Sequence, residues 1–239
     1  MMKLITLNIE KDKHFDRFIP FLRKENADVV CLQEVFEKDF EMIKQEVGME
    51  GKFFGMTRKM GKCQHTISTG GPEGIAILTN LLHSGINVEF YKGEGTVPEC
   101  TGTSSQDRGI AYCTVEKGGG KVTIGTTHFT WTPGGSVTEE QKEDCKKLLK
   151  ITEKFPKLIL CGDFNAPRGR DTFTRFTEHF TDNLPEKIES TVDPQLHRKP
   201  NLRLVVDTIF SKRYNVKNVR VVEGVSDHKA VIGEIECAQ

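Results

Sequence analysis

Leu158 to Cys161 is a short apolar run that predicts a buried strand, and the chain becomes polar directly after it. Gly162 and Pro167 bracket the turn that follows, and Asp163 and Asn165 stand in that turn. A carboxylate and a carboxamide held rigidly at the end of a strand can share one small, highly charged ligand. The alternative is a plain turn in which both side chains bond only to their own backbone. The rest of the chain decides between these two interpretations.

Short apolar runs that meet a polar residue recur along the whole chain. They predict strands at residues 3–9, 29–32, 52–56, 74–78, 86–91, 110–115, 122–127, 158–161, 204–210, 216–222 and 229–235. Helical spacing and caps predict helices after Phe15, over Glu37–Val47, after a capping box of Ser136 and Glu139, and over Asp171–Phe180. Many strands with interspersed helices and no linker favour one α/β domain over residues 1–239, with two sheets packed face to face.

Composition sets broad limits on function. Basic and acidic residues balance at 34 each, so the chain as a whole has no attraction to nucleic acid, and any polyanion site must be a local patch. The seven cysteines are scattered without a Cys-x-x-Cys pair, which favours reduced thiols in a cytoplasmic protein. The sequence shows no signal peptide, no membrane segment and no evident obligate protein partner. We therefore expect an intracellular enzyme or binding protein that does not act at a membrane.

A set of polar side chains lies at the predicted strand ends. They are Asn8, Glu10, Glu34, His128, Asp163, Asn165, Asp207, Asp227 and His228. A buried carboxylate costs on the order of several kcal/mol unless it is paired or bound to a metal. Any one of these residues could be a structural cap, but so many of them in one domain indicate a common site.

The chemistry that these residue types suit is hydrolysis of a phosphoester. Oxygen ligands such as Glu34 and Asp227 favour Mg²⁺ or Mn²⁺ over Zn²⁺, and no Cys/His cluster competes in the sequence. A carboxylate such as Asp163 can orient and deprotonate an attacking water. A histidine paired with a buried aspartate is held as the imidazolium, which can stabilise negative charge or protonate a leaving group.

Six short segments carry these residues. They are Leu7-Asn8-Ile9-Glu10, Leu32-Gln33-Glu34-Val35, Thr127-His128-Phe129, Gly162-Asp163-Phe164-Asn165, Val206-Asp207-Thr208-Ile209-Phe210 and Ser226-Asp227-His228. Together, and in this order, they resemble the motifs of the endonuclease/exonuclease/phosphatase family, from Leu7 to Lys229. The resemblance implies a four-layer α/β/β/α sandwich of two sheets between helices. It also implies a phosphoester hydrolase that depends on Mg²⁺ or Mn²⁺.

The resemblance further implies a set of metal ligands. Glu34 is then the principal ligand, with Asn8 and Asp227 beside it. Glu10 is also expected at the metal, although the family often has an aspartate at that position. Its longer side chain could reach the ion through a water instead.

By the same resemblance, five residues are expected to act on the substrate phosphate. Asp163 would position the attacking water, and Asn165 would bind a phosphate oxygen. His228 would contact the scissile phosphate, with Asp207 as its orienting partner, and His128 would also face the phosphate. Two alternatives stay open, because Asp207 could cap a strand and His128 could be an ordinary core histidine.

The rim of the site is expected to select the substrate. Arg108, which resembles an Arg-Gly seen near the active site of some family members, Arg168 and Trp131 are the candidate substrate-binding residues. Trp131 could stack on a base. The alternatives are a surface ion pair for Arg108 and a packed loop aromatic for Trp131.

Three long loops could supply further substrate contacts or be surface insertions. They are Thr57–Glu73 with Arg58, Lys59, Lys62 and His65, Lys92–Arg108, and Asp193–Arg203 with His197, Arg198 and Lys199. With Arg168 and Arg203 they could form a local basic rim around the site.

We therefore predict a divalent-metal-dependent phosphodiesterase or nuclease that acts on nucleic-acid ends or lesions, in DNA or RNA, by metal-assisted water attack on phosphorus. One alternative is a phosphatase or phosphodiesterase for a small phosphorylated metabolite. Another is a catalytically idle protein on the same fold that only binds phosphorylated or protein partners.

Overall fold

The computed structural model describes residues 1–60, 70–100 and 106–237. Within these ranges the chain forms twelve strands and four α-helices. In chain order they are β1 (Met2–Asn8), α1 (Phe15–Glu25), β2 (Val29–Phe36), α2 (Glu37–Val47), β3 (Gly51–Lys59), β4 (Gly71–Thr79), β5 (Asn87–Lys92), β6 (Arg108–Lys117), β7 (Gly120–His128), α3 (Glu139–Thr152), β8 (Leu158–Asp163), α4 (Asp171–Thr177), β9 (Thr181–Asp182), β10 (Asp207–Lys212), β11 (Val216–Val222) and β12 (Ala230–Ile235).

The strands form two six-stranded mixed sheets. The order in the first sheet is β11-β12-β1-β2-β4-β3, and in the second it is β5-β6-β7-β8-β10-β9. Each sheet has one parallel pair near its centre, β1 with β2 and β7 with β8. Their carboxyl ends therefore lie at the same edge as the amino ends of the antiparallel neighbours β4, β10 and β12. This edge is where the predicted site residues meet.

The core has three layers of apolar side chains. Leu4, Cys31 and Ile77 from the first sheet share one buried cluster with Ile124 and Ile209 from the second, so the sheets pack face to face. A second cluster joins α1 and α2 to the outer face of the first sheet, and a third joins α3 and α4 to the outer face of the second. The predicted four-layer α/β/β/α sandwich is confirmed.

A buried polar contact fixes the two sheets relative to each other next to the site. The Gln33 side chain is fully buried between them, and its Nε2 donates to Thr126 Oγ1 at 3.0 Å and to Thr6 Oγ1 at 3.2 Å. Because a buried amide needs such partners, this contact favours one alignment of β1 and β2 over β7. Glu34 follows Gln33 directly.

Several predicted elements differ from the structure in where they begin or end; α4, for example, ends at Thr177 instead of Phe180. Helix α3 is capped by Thr138, whose side chain accepts from the backbone N–H of Gln141 at 3.1 Å, so the capping box predicted at Ser136 and Glu139 was wrong. The same capping pattern also fits Thr138 and Gln141. The upstream residues Pro133–Gly135 form a 3-10 turn. Strand β10 begins at Asp207 instead of Leu204. None of the described helices has the length and apolar character needed to cross a membrane.

Candidate active site

The polar edge of the sandwich encloses a cleft of about 280 Å³. The predicted site residues that line it are Glu10, Glu34, Arg108, His128, Trp131, Asp163, Asn165, Asp227 and His228. Asn8 and Asp207 lie directly behind this lining, hydrogen-bonded to Asp163 and His228. The structure therefore brings together residues from both sheets that are far apart in sequence.

Four non-glycine residues around the cleft adopt the left-handed backbone conformation. They are Glu10 (φ 47°), Lys11 (φ 63°), Glu34 (φ 57°) and Asn165 (φ 48°). This conformation costs an L-residue on the order of 1 kcal/mol, and such residues cluster at functional sites. At Glu34 the cause is a β-bulge, since the register between β2 and β4 shifts between Gln33 and Val35. The bulge leaves the Glu34 backbone outside the ladder, and its side chain lines the cleft.

His228 is held as a cation by two buried carboxylates. Its Nδ1 lies 2.9 Å from Asp207 Oδ2, and its Nε2 lies 3.8 Å from Asp163 Oδ2. Burial acts to lower the pKa of His228, but the charges of Asp207 and Asp163 outweigh it and raise that pKa well above its usual value. The second carboxylate oxygen of Asp207 is buried without a hydrogen-bond partner among the described residues.

Asp163 lies at the centre of the cleft, and its carboxylate is fixed from two sides. Oδ1 accepts from the backbone N–H of Asn165 at 2.9 Å, and Oδ2 accepts from Asn8 Nδ2 at 3.1 Å. Burial raises the pKa of the Asp163 carboxyl to about 7, although the charge of His228 opposes this. A buried carboxyl with a pKa near neutrality next to a charged histidine is typical of acid–base sites.

The other end of the cleft is acidic. Ligand atoms of Glu34, Glu73 and His128 lie within 4.8 Å of one another. Burial lowers the pKa of His128 well below its usual value, and the charge of Arg108 acts in the same direction, so its imidazole is neutral. Burial also raises the pKa of Asp227 to about 6, with the charges of Glu10 and Glu34 adding to the effect and that of His228 opposing it.

Lys11 neutralises part of this acidic end. Its Nζ forms an ion pair with Glu34 Oε2 and lies 3.6 Å from Glu73 Oε2. Burial acts to raise the pKa of Glu34, but the charge of Lys11 and its hydrogen bond to the carboxylate outweigh it and hold that pKa well below its usual value. The same carboxylates raise the pKa of Lys11 against the effect of burial.

The residues at this end fit a divalent cation with oxygen ligands. Glu34 and Asp227 supply carboxylates, and neutral His128 can add a nitrogen. Glu73 Oε2 is buried, accepts no hydrogen bond from the residues described, and lies 3.6 Å from Lys11 Nζ and 3.7 Å from Lys59 Nζ, so it adds negative charge to this end of the cleft. No cysteine lies among these residues, which disfavours Zn²⁺.

Two predicted metal ligands are already engaged within the protein. Asn8 Oδ1 accepts from the backbone N–H of Glu10 at 3.1 Å. The Glu10 carboxylate accepts from Lys13 Nζ at 2.8 Å and contacts His14 Nε2 at 2.9 Å. Burial acts to raise the pKa of Glu10, but these bonds outweigh it and lower that pKa. This arrangement favours the interpretation in which Glu10 reaches the ion through a water instead of binding it directly.

Two buried polar residues that sequence reasoning missed hold segments of the cleft in place. Thr191 Oγ1 accepts from the backbone N–H groups of Val206 and Asp207, both at 3.0 Å. Gln141 Nε2 donates to the backbone oxygens of Thr130 and Asn165 at 3.0 and 3.1 Å. Thr191 belongs to a stretch without a sequence pattern, and Gln141 lies on a helix, so neither gave a signal of a site.

Glu73 was also missed, although a signal existed. Glu73 precedes the apolar run Ile75–Leu78, whereas most of the predicted site residues follow such runs. Since β4 is antiparallel to β2, the amino end of β4 lies beside the carboxyl end of β2. Polar residues that precede an apolar run can therefore lie at the same edge of the sheet and belong to the same site.

The rim of the cleft is cationic and carries one aromatic. Arg108 is 5% exposed and donates to the backbone oxygen of His128 at 2.9 Å, while Trp131 is 39% exposed. The end of β3 adds Lys59 to the lining, and the stretch 193–203 adds His197, Arg198 and Lys199. Residues 61–69 and 101–105, which include Lys62 and His65, lie outside the described residues.

Arg168 does not line the cleft. Its guanidinium donates to Asp182 Oδ2 at 3.0 and 2.6 Å and to the backbone oxygens of Leu184 and Pro185 at 2.9 and 3.2 Å. The structure therefore gives Arg168 a structural role, in place of the predicted contact with substrate. Adjacency to Asp163 in sequence did not determine the direction of its side chain.

Comparison with known proteins agrees with this site. The model of the Endonuclease/Exonuclease/phosphatase family matches residues 5–228. Nocturnin of Drosophila melanogaster is 26% identical over 150 residues, which span 60% of this chain and 22% of that protein. Among solved structures, an endonuclease/exonuclease/phosphatase from Bacteroides vulgatus superposes with a TM-score of 0.76 at 18% identity, covering 99% of each chain. A mannosyl-6-phosphatase of Bacteroides thetaiotaomicron does so with a TM-score of 0.69 at 14% identity, covering 99% of this chain and 100% of the other.

Proposed function

This chain belongs to the endonuclease/exonuclease/phosphatase family, and we propose on that premise that it is a divalent-metal-dependent phosphoester hydrolase. The observation that carries the proposal is the position of His228, 2.9 Å from Asp207 and facing Asp163 in a polar cleft. An imidazolium held in this way can stabilise the charge that develops on a phosphoryl oxygen during water attack.

Asp163 is the residue best placed to act on the attacking water. Its carboxylate is oriented by Asn8 and by the backbone N–H of Asn165, and its pKa of about 7 lets it accept a proton near neutral pH. As the water oxygen bonds to phosphorus, Asp163 Oδ2 takes the water proton. The bond from phosphorus to the leaving oxygen breaks, and the proton on His228 Nε2 neutralises that oxygen.

Glu34 would be the central ligand of the cation, with Asp227 beside it and His128 within reach. When bound, Mg²⁺ or Mn²⁺ supplies positive charge that offsets the negative charge on the phosphoryl oxygens. The residues of the chain then have separate tasks. The carboxylates of the acidic end hold the cation, and Asp163 and His228 transfer protons.

The rim supports a nucleic acid, as DNA or RNA, as the substrate class. Lys59, Arg198 and Lys199 line the cleft, and basic groups in this position can bind phosphates next to the scissile one. Trp131 offers an exposed ring on which a base can stack. Because the net charge of the chain is zero, we propose that it acts on nucleic-acid ends or lesions, which need only a local contact.

The volume of the cleft favours a second candidate. At about 280 Å³ it lies at the lower end of the range for small-molecule sites, which suits a compact phosphorylated metabolite. A phosphatase or phosphodiesterase for such a molecule would use the same catalytic residues and would not require Trp131. We also propose a cytoplasmic location, which the scattered thiols of the sequence support.

Hydrolysis of a substrate panel in Mg²⁺, in Mn²⁺ and in EDTA tests the proposal. The panel contains bis-p-nitrophenyl phosphate, p-nitrophenyl phosphate, single- and double-stranded DNA, RNA, a 5′-tyrosyl oligonucleotide and phosphorylated sugars and inositols. Metal-dependent cleavage of the nucleic acids supports the first candidate, and cleavage of the small molecules alone supports the second. Absence of turnover on the whole panel would support the idle binding protein.

A further inference from the structure

Lys11 is a buried lysine in the acidic end of the cleft that the sequence analysis did not select. Its side chain is 7% exposed, and its backbone is left-handed with a φ of 63°. The preceding residue Glu10 is also left-handed, and its N–H is held by Asn8 Oδ1 at 3.1 Å. Two strained residues in succession therefore aim the Lys11 side chain into the protein instead of into solvent.

The ammonium group of Lys11 is paired with an oxygen atom that a metal ion would need as a ligand. It forms an ion pair with Oε2 of Glu34, which is the predicted central ligand. Oε1 of the same carboxylate lies 3.9 Å from His128 Nε2. Two cations at one carboxylate oxygen repel each other strongly in a buried site. Lys11 and a divalent ion therefore compete for Glu34.

A second carboxylate is available to Lys11 within the same space. Glu73 Oε2 is buried, lies 3.6 Å from Lys11 Nζ and 3.7 Å from Lys59 Nζ, and accepts no hydrogen bond from the described residues. A side-chain movement of about 1 Å would convert this contact into a direct hydrogen bond. Lys11 can therefore leave Glu34 without losing a charged partner.

We propose that Lys11 is the resident cation of this site. Its ammonium group neutralises Glu34 and Glu73 before a divalent ion binds, and it transfers from Glu34 to Glu73 when the ion binds at Glu34. This inference rests on the proposed function, because the ion site at Glu34 belongs to it. The physical consequence is a negative coupling between Lys11 and the ion, which lowers the affinity of the site for the ion.

Mn²⁺ binding, measured by titration calorimetry without substrate, tests this coupling. Lys11→Met should bind Mn²⁺ about tenfold more tightly than the wild type, a coupling of ordinary size between two sites. Lys11→Arg keeps the charge and should show no gain in affinity. The matched control is Lys3→Met, because Lys3 also forms a part-buried lysine–glutamate pair, with Glu25, in the first sheet and away from the cleft. It should bind as the wild type does.

A double-mutant cycle tests the transfer to Glu73. Glu73→Gln should weaken Mn²⁺ binding in the wild-type background, because the ammonium group then stays on Glu34. In the Lys11→Met background the same substitution should weaken binding less, because only the loss of a nearby negative charge remains. If Glu73→Gln weakens binding equally in both backgrounds, Glu73 is a direct ligand and the transfer is wrong.

The outcomes separate this inference from the proposed function. If wild type and Glu34→Gln bind Mn²⁺ equally, the ion site itself is wrong and the proposed function fails. If Glu34→Gln abolishes binding but Lys11→Met binds no more tightly than the wild type, only the role of Lys11 is overturned. If Lys11→Met does not fold without an ion, Lys11→Arg tests the coupling instead. An Mn²⁺ affinity of Lys11→Arg above that of the wild type would then overturn it.

Discussion

His228 Nδ1 and Asp207 Oδ2 lie 2.9 Å apart, and this bond crosses from one sheet of the sandwich to the other. His228 lies two residues before β12 of the first sheet, whereas Asp207 begins β10 of the second. The bond from Asn8 to Asp163, at 3.1 Å, also joins the two sheets. The catalytic arrangement therefore exists only when both sheets are packed in their native alignment.

Asp207→Asn should lower the pKa of His228 and the rate of hydrolysis. The substitution removes the negative charge that holds the imidazolium, so the His228 pKa moves down toward its usual value. We expect kcat to fall about a hundredfold or more, as for other residues that orient a catalytic histidine. Side-chain ¹⁵N NMR titration and steady-state kinetics measure the two effects.

Asp182→Asn is the control for this substitution. Asp182 lies on β9, the other neighbour of β10, and binds Arg168 and Thr208 away from the cleft. Its substitution should leave the His228 titration unchanged. An unchanged His228 titration in Asp207→Asn would show that the pair does not form in solution.

Asp163→Asn should remove activity and change how stability depends on pH. The folded-state pKa of Asp163 is about 7 and its unfolded value is 3.8, so the folded protein binds the extra proton between these values. The wild type therefore loses stability as pH rises from about 4 to about 7. The amide cannot ionise, so Asp163→Asn should gain melting temperature relative to the wild type on going from pH 5 to pH 8.

Thermal melts of both proteins at the two pH values measure this difference. A constant gap in melting temperature between Asp163→Asn and wild type would show that burial does not penalise the carboxylate. In either case the variant should hydrolyse no diester, because it lacks the base.

Thr191→Val should reduce both stability and kcat. The methyl group cannot accept from the backbone N–H groups of Val206 and Asp207, and each unsatisfied N–H costs about 1–3 kcal/mol. Asp207 then shifts, and its bond to His228 lengthens. Denaturant unfolding and kinetics measure the two effects.

Thr152→Val is the matched buried control. Thr152 is 3% exposed in α3, and its hydroxyl donates to the backbone oxygen of Leu149 at 2.7 Å. This variant should lose some stability and keep the wild-type kcat. If Thr191→Val also kept the wild-type kcat, Thr191 would not position Asp207.

Trp131→Ala should raise KM for substrates that contain a nucleobase. Base stacking on an aromatic side chain contributes about 1–3 kcal/mol, which corresponds to roughly tenfold or more in KM. KM for an alkyl phosphodiester should not change, since it has no ring to stack. Leu82→Ala, at an exposed leucine on another surface, is the control. An equal change of KM for both substrate types would exclude stacking and would favour the metabolite as substrate.

Much of the site could be predicted because strand ends are visible in sequence. Asp163, Asn165 and His228 stand next to apolar runs, and a sheet brings such positions to one edge. Asp207 was placed correctly beside His228, although it begins its strand instead of interrupting one. Local pattern placed these residues at strand ends, and the family resemblance supplied their expected roles.

The features that sequence reasoning missed depend on tertiary contacts. Lys11 lies in the run Lys11-Asp12-Lys13, which has the appearance of a solvated charged turn. Only the left-handed backbone at Glu10 and Lys11 directs that ammonium group inward. The opposite error occurred at Arg168, which was predicted to bind substrate. Its guanidinium binds Asp182 instead.

Hydrolysis of bis-p-nitrophenyl phosphate by the wild type and by His228→Ala, in Mg²⁺ or Mn²⁺ and in EDTA, tests the central claim most directly. His179→Ala, at an exposed histidine on α4's side of the second sheet, serves as the control. We predict that the wild type and His179→Ala release nitrophenol only with metal, and that His228→Ala releases none while keeping its fold. Turnover by His228→Ala at the wild-type rate, or equal turnover in EDTA, would contradict the account.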